Sequence, residues 1–291
     1  MCKAYLKWLV NDVHVDGFRY DYCKGFKNGY IADYNSVAIP YFTVMEMWDN
    51  RVGDLQYHLN EARRTSMTFD FATKFSAFND GIANGNYGAL RGSGLLGAGE
   101  SRYAVTFIDN HDTFLRDEKE FLGYGNSLAN DENKAKVLQC NAFILSMPGV
   151  PCVFFPHWIT FKNEIKAMIN ARYKTGVHSQ SSVEDEASHD YYKATIHGTN
   201  GDIRLLMGPA SGYNSTPAGY TLAVKGTNFG VYYKLNSPRG DKDTERTPIP
   251  QGIEEVEEGQ NAVMTEKFIH NGLLYIRIGD KVYDVMGRNV Q

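Results

Sequence analysis

Apolar and polar positions follow two different periods along this chain, and the change falls near residue 176. Before it, short apolar runs alternate with stretches whose apolar residues recur every three or four positions. HVDGFRYD (14–21), AIPYFTVMEMWD (38–49), SMTFDF (66–71), YAVTFIDNHD (103–112) and GVPCVFFPHW (149–158) predict five strands. DLQYHLNEARR, ATKFSAFNDGIA, NKAKVLQCNAFILS and NEIKAMINARYKTG predict helices, and YLKWLVND (5–12) reads as the end of one more. A glycine-rich loop, NYGALRGSGLLGAG, precedes the fourth strand. Such alternation implies parallel strands in an α/β architecture, here filling residues 1–175. Beyond it, YYKATIHG, DIRLLMG, GYTLAVKG and FGVYYKL are short alternating strands joined by Gly and Asn turns. They predict an antiparallel β-sandwich domain over 176–238. The polar, acidic stretch 239–261 reads as a linker, and 262–291 as a small β module with NG and GD turns.

Composition narrows the classes. With 43% hydrophobic and 22% charged residues, the chain falls among globular proteins. A net charge of -4 offers no basic footprint for nucleic acid. Aromatic residues, at 13%, suit a ligand that stacks, although most will serve the core. Cys2, Cys23, Cys140 and Cys152 lack metal-site spacing. Cys140 and Cys152 lie in apolar runs, which predicts buried free thiols. No apolar run reaches the length of a membrane span, and MCKAYLKWLV has no signal-peptide architecture.

Chemistry in parallel α/β proteins gathers at the carboxyl ends of the strands. Three such ends carry Asp21, Glu46 and the pair His111–Asp112. Singly, an acid after a strand is often only the N-cap of the next helix. A cluster of them suits either oxygen-ligand metal binding or acid/base and nucleophilic work on a glycosidic bond. Arg19 favours the second reading. It shares a strand face with Asp21, which places a cation beside that carboxylate and favours its charged form. Glu46, between Met45, Met47 and Trp48, is expected in apolar surroundings that suit a general acid. Tyr20 and Tyr22 alternate away from Asp21 and are expected to pack between strand and helix. His157 and Trp158 are expected to cap, to pack or to line the cleft.

GFRYDYCKG, VMEMWD and FIDNHD, in that order and spacing, resemble three signatures of the α-amylase family of glycoside hydrolases, family 13. SMTFDFATKF resembles strand six of that family's barrel, and PGVPCVFFPHW its strand eight. The resemblance implies a partial (β/α)8 barrel, strands four to eight, followed by an antiparallel β-sandwich. It implies an endo-acting, retaining α-1,4-glucan hydrolase working on starch, glycogen or maltooligosaccharides. Related α-1,6 cleavage, transglycosylation, or a non-catalytic starch-binding remnant are the alternatives. Carried over by residue, Asp21 matches the nucleophile, Arg19 its contacting arginine and Glu46 the proton donor. Asp112 matches the carboxylate that stabilises the transition state, and His111 a substrate-binding histidine. Lys24 matches a lysine on the leaving-group side, and Trp48 an aromatic platform beside the cleaved bond. Gly25 stands where the family often has histidine, which removes one substrate contact. Its backbone carbonyl matches one that binds calcium, the implied cofactor, most of whose ligands would lie upstream.

The family's strand-three signature has no counterpart here. The resemblance therefore leads to the expectation that the natural N-terminus, with any export signal, lies upstream, and that these 291 residues do not hydrolyse starch alone. It also implies a secreted, periplasmic or cell-surface bacterial protein, monomeric when whole, with an α-glucan as partner and no nucleic acid or membrane span.

Overall fold

In the computed structural model, residues 2–114, 126–236, 265–270, 273–278, 281–284 and 290 are described. The five apolar runs become β1 (Gly17–Tyr20), β2 (Phe42–Met45), β3 (Met67–Phe69), β4 (Ala104–Phe107) and β5 (Val150–Cys152). They form one parallel sheet in sequence order. All four residues of β4 are buried, as expected for a strand covered on both faces. Register matters most at the start of the sheet. Tyr20 pairs with Met45, so Asp21 and Glu46 leave neighbouring strands at the same level.

The helices are α1 (Cys2–Asn11), α2 (Gly29–Ala38), α3 (Val52–Glu61), α4 (Phe71–Thr73), α5 (Gly94–Gly97), α6 (Asp131–Ser146), α7 (Phe155–Thr160) and α8 (Lys162–Thr175). Two differ from the sequence pattern. GYIADYNSVA is helix α2, whose polar Asn35 is tied inward: it accepts from the Tyr20 hydroxyl at 2.7 Å and donates to the Thr65 carbonyl at 2.9 Å. ATKFSAFNDGIA is not one helix. It starts as α4, widens into a π-helical turn over Lys74–Asn79, and ends in a 3-10 turn at Ile82–Asn84. Widened turns of this kind often accompany functional or constrained positions, and this one carries Lys74.

Five antiparallel strands follow: β6 (Ser182–Ser188), β7 (Tyr191–His197), β8 (Gly201–Met207), β9 (Thr221–Gly226) and β10 (Phe229–Leu235), in the order β6-β7-β8-β10-β9. The sequence pattern missed β6 because its outward positions are Ser182, Glu184, Glu186 and Ser188, and its inward ones only half-buried. Residue 176 marks a change of architecture rather than a break in packing. Phe143 and Ile144 of α6, Ile165 of α8, and Tyr192, Ile203 and Phe229 of the antiparallel sheet share one hydrophobic core. Arg172 reinforces the same region, donating to the carbonyls of Leu145, Met147 and Gly149.

Residues 1–238 form one compact unit and 239–291 a second. In the second, β11 (Thr265–His270), β12 (Leu273–Ile278) and β13 (Lys281–Asp284) make an antiparallel meander. The predicted linker and the two turn dipeptides lie outside the described residues. No helix among the described residues is long and apolar enough to cross a membrane.

Candidate active site

Arg19 projects from β1 between two carboxylates. Its Nη1 lies 2.5 Å from Asp21 Oδ1 and its Nη2 2.7 Å from Glu46 Oε1. Glu46 is buried, and its second oxygen accepts the Tyr22 N–H at 2.9 Å. The backbone continues the pairing past the strands: Glu46 N–H donates to Tyr20 O, and Cys23 N–H to Glu46 O. Charge-assisted bonds of this length fix both acids against one planar fork. The sequence pattern placed Arg19 beside Asp21 and led to the expectation that Glu46 would sit among apolar groups. Met45 and Met47 are indeed fully buried, but the Glu46 carboxylate itself shares the arginine.

At the end of β4, His111 and Asp112 follow Asn110, whose side chain accepts the N–H groups of Asp112 and Thr113 and closes the turn. His111 Nε2 lies 3.2 Å from Asp112 Oδ2. Arg19 and His111 both line a cavity of about 210 Å³, with Phe69, Phe107, Phe154 and Cys152. Cys152 was expected buried; it is exposed, at the end of the short β5. Cys23, behind Asp21, is buried, and burial pushes its thiol up to about 12, so it offers no second nucleophile.

Lys24 pairs with Asp49 at 3.0 Å. Burial pushes the Asp49 carboxyl up, but the Lys24 ammonium and the Arg51 N–H more than offset it and hold it below the usual range. Trp48 stacks on the fully buried Phe71, ring centroids 4.8 Å apart, so one of its faces is already taken. Tyr20 packs inward as expected, whereas Tyr22 does not: its side chain is among the exposed aromatics. Among the described residues no three His, Cys, Asp or Glu side chains converge as metal ligands. The described residues therefore do not by themselves bring to the Gly25 carbonyl the set of carboxylates that a hard cation needs.

Sequence reasoning missed a group beneath the His111–Asp112 turn. Lys74, Asp109, Ser127 and His157 are all completely or almost completely buried. Asp109 accepts the Ser127 hydroxyl at 2.6 Å and the Thr113 hydroxyl at 3.2 Å, with Lys74 Nζ at 3.3 Å and His157 Nε2 at 3.2 Å. Lys74 also donates to the Ile108 carbonyl at 2.5 Å. Burial pushes the Asp109 carboxyl up, but Lys74, His157 and Ser127 outweigh it and bring it down to about 2. Four groups converging on one carboxylate keep it charged. His157 thus packs rather than lining the cleft. Asp109 sits in FIDNHD, and its first aspartate was the only available signal.

Asp70, the acid at the end of β3, is an N-cap. It accepts from Thr73 N–H and Oγ1 and from Leu95 N–H, which is the capping role a strand-end acid ordinarily plays.

The described sheets and site can be compared with known proteins. No family model matches the chain. Among solved structures, an α-amylase from Geobacillus thermoleovorans complexed with acarbose is similar over 81% of this chain and 64% of its own, with TM-score 0.59 at 13% identity. CldA, a cyclomaltodextrin glucanotransferase, is similar over 80% and 60%, with TM-score 0.61 at 15% identity. These define the class by fold: a barrel-type α/β sheet followed by an antiparallel sheet. Sequence relatives go further. Alpha-amylase 3, chloroplastic, of Arabidopsis thaliana is 30% identical over 255 residues, which is 79% of this chain and 27% of that protein. Probable alpha-amylase 2 of the same plant is 31% identical over 79% of this chain and 58% of its own length. The alpha-amylase type B isozyme of Hordeum vulgare is 32% identical over 136 residues, 45% of this chain and 80% of that protein. The chain belongs to the α-amylase family. It spans about a quarter of the first of these relatives and somewhat over half of the second.

Proposed function

We propose that the chain carries the catalytic carboxylates of an endo-acting α-1,4-glucan hydrolase that retains anomeric configuration. The observation that supports this most directly is the single guanidinium held between Asp21 and Glu46. Two acids bridged by one arginine stand close together. Retaining enzymes need their carboxyl groups about 5 Å apart, whereas inverting enzymes leave room for a water molecule between acid and sugar.

In this reading Glu46, carrying its proton, donates it to the departing glycosidic oxygen while the Tyr22 N–H keeps the carboxyl oriented. Asp21 attacks the anomeric carbon, and Arg19 holds its charge and direction. His111, which lines the same cavity as Arg19, and its neighbour Asp112 contact the sugar and stabilise positive charge as the bond breaks. Water then resolves the glycosyl-enzyme with Glu46 as base. The aromatic lining by Phe69, Phe107 and Phe154 suits the apolar faces of a sugar ring.

Release of reducing ends from soluble starch, measured on these residues and on a longer chain carrying them, tests turnover. Retention on a starch column tests binding alone. The first product should carry the α-anomer by NMR, and Asp21→Asn should abolish turnover with the fold intact. Initial release of the β-anomer would rule out the retaining step. Products from amylose and pullulan then separate α-1,4 from α-1,6 cleavage.

A further inference from the structure

Stability alone does not account for the charges buried beneath the His111–Asp112 turn. A buried ion pair seldom holds a protein together better than apolar side chains of the same size would. Here the pair draws on the ends of three strands. Lys74 enters from the π-helical turn after β3, Asp109 follows β4, and His157 comes from α7 after β5. Asp109 uses both of its oxygens. Its Oδ2 accepts the Ser127 hydroxyl and faces His157 Nε2, while its Oδ1 accepts the Thr113 hydroxyl at 3.2 Å beside Lys74 Nζ.

Thr113 carries that grip into the turn above. It is fully buried, and its hydroxyl oxygen accepts the Asn110 N–H at 3.1 Å. Asn110 Oδ1 in turn accepts the N–H groups of Asp112 and Thr113. The bonds that shape the turn thus lead back, through one hydroxyl, to the Asp109 carboxylate. Over it the His111 side chain is 71% exposed and lines the cavity shared with Arg19. A side chain so exposed is aimed chiefly by its backbone. We propose that Asp109 is a positioning residue for His111 and Asp112, acting through Thr113 to hold the turn that presents both to the sugar. This rests on the glucan-hydrolase reading, since only a sugar bound at this cavity would sense how the turn is set. Lys74, Ser127 and His157 hold the carboxylate itself. Surrounded in this way it stays a charged acceptor, and its bond to Thr113 is stronger than one between neutral groups. Side chains locked by buried partners keep a site within about 0.5 Å of its working geometry.

The experiment titrates maltotetraose into the 291-residue chain by calorimetry, well below the melting transition of each variant. Thr113→Val keeps the shape and removes the hydroxyl. It should bind roughly three- to tenfold more weakly, about the worth of one hydrogen bond. Thr113→Ser restores the hydroxyl and should bind like the parent. Asp109→Asn should weaken binding as Thr113→Val does, and the double variant should be no weaker than either alone, because both cut the same link. Should Asp109→Asn fail to fold, the two Thr113 variants decide alone. Arg172→Met, which loosens the chain just before β5 and away from the cavity, controls for lost stability and should bind like the parent. If Thr113→Val binds like the parent, or if the two losses add, the positioning role is refuted while the hydrolase reading stands. Equal weakening in Arg172→Met would assign the effect to stability and refute the role as well. A parent without saturable binding overturns the glucan reading and the positioning role together.

Discussion

Replacing Asp109 by asparagine keeps shape and removes one charge from the buried group below the His111–Asp112 turn. Lys74 Nζ and Asp109 Oδ1 lie 3.3 Å apart with both side chains fully buried. At an effective dielectric of about 20, that separation corresponds to about 5 kcal/mol of gross attraction. Much of it offsets the cost of burying the ions, but deleting one partner leaves the other's cost in place, and the expected net loss is about 3–5 kcal/mol. That is a large part of the roughly 5–15 kcal/mol that holds a domain folded. Urea unfolding followed by tryptophan fluorescence is the assay, because Trp8, Trp48 and Trp158 all lie in the unit 1–238. Lys74→Met and the double variant complete a cycle. The paired losses should be less than additive by about 1–3 kcal/mol. The pH dependence has a definite sign. Asp109 falls from 3.8 to about 2 on folding, so its contribution is present above pH 4 and lost as pH falls through 2. This part is worth about 2 kcal/mol at neutral pH. The gap between parent and Asp109→Asn should therefore narrow between pH 4 and pH 2. A loss below about 1 kcal/mol for Asp109→Asn, or strict additivity in the cycle, would refute the buried charged pair.

Arg172→Met leaves the carbonyls of Leu145, Met147 and Gly149 without their donor and should cost about 2–4 kcal/mol in the same urea assay, with Arg172→Lys recovering only part. Gly94 has φ +55°, and a Cβ there would meet the Thr73 hydroxyl at 2.0 Å and the Asp70 carboxylate at 2.6 Å. Gly94→Ala should therefore lower the melting temperature by several degrees, about 2 kcal/mol or more, through the Asp70 cap. Chelation with EDTA should leave the melting temperature of this chain unchanged, since the described residues bring no cluster of metal ligands together. A clear drop on chelation would reveal a cation site.

How much was legible in the sequence differs from one part of the molecule to another. The five parallel strands, most of the helices and the positions of Asp21, Glu46 and Asp112 at strand ends follow from local pattern. Alternation and helical period record which side of an element faces the core, and that information lies within a few neighbouring residues. The segment Lys74–Asn79 defeated it, since a π-helical turn keeps helical spacing only approximately. The polar strand β6 defeated it for lack of apolar alternation. Tyr22 was misplaced for a related reason. Alternation was extended two residues too far, past the end of β1 at Tyr20, into a left-handed turn where strand faces no longer apply. Pairings across long separations were decided only by tertiary structure. Arg19 meets Glu46 because β1 and β2 align Tyr20 with Met45. Lys74, Asp109, Ser127 and His157 meet because the segments after β3, β4 and β5 converge beneath one turn. Each of these residues, read in its own stretch, is an ordinary polar side chain. Only the folded chain withdraws them together from water, and that shared burial makes one group of them.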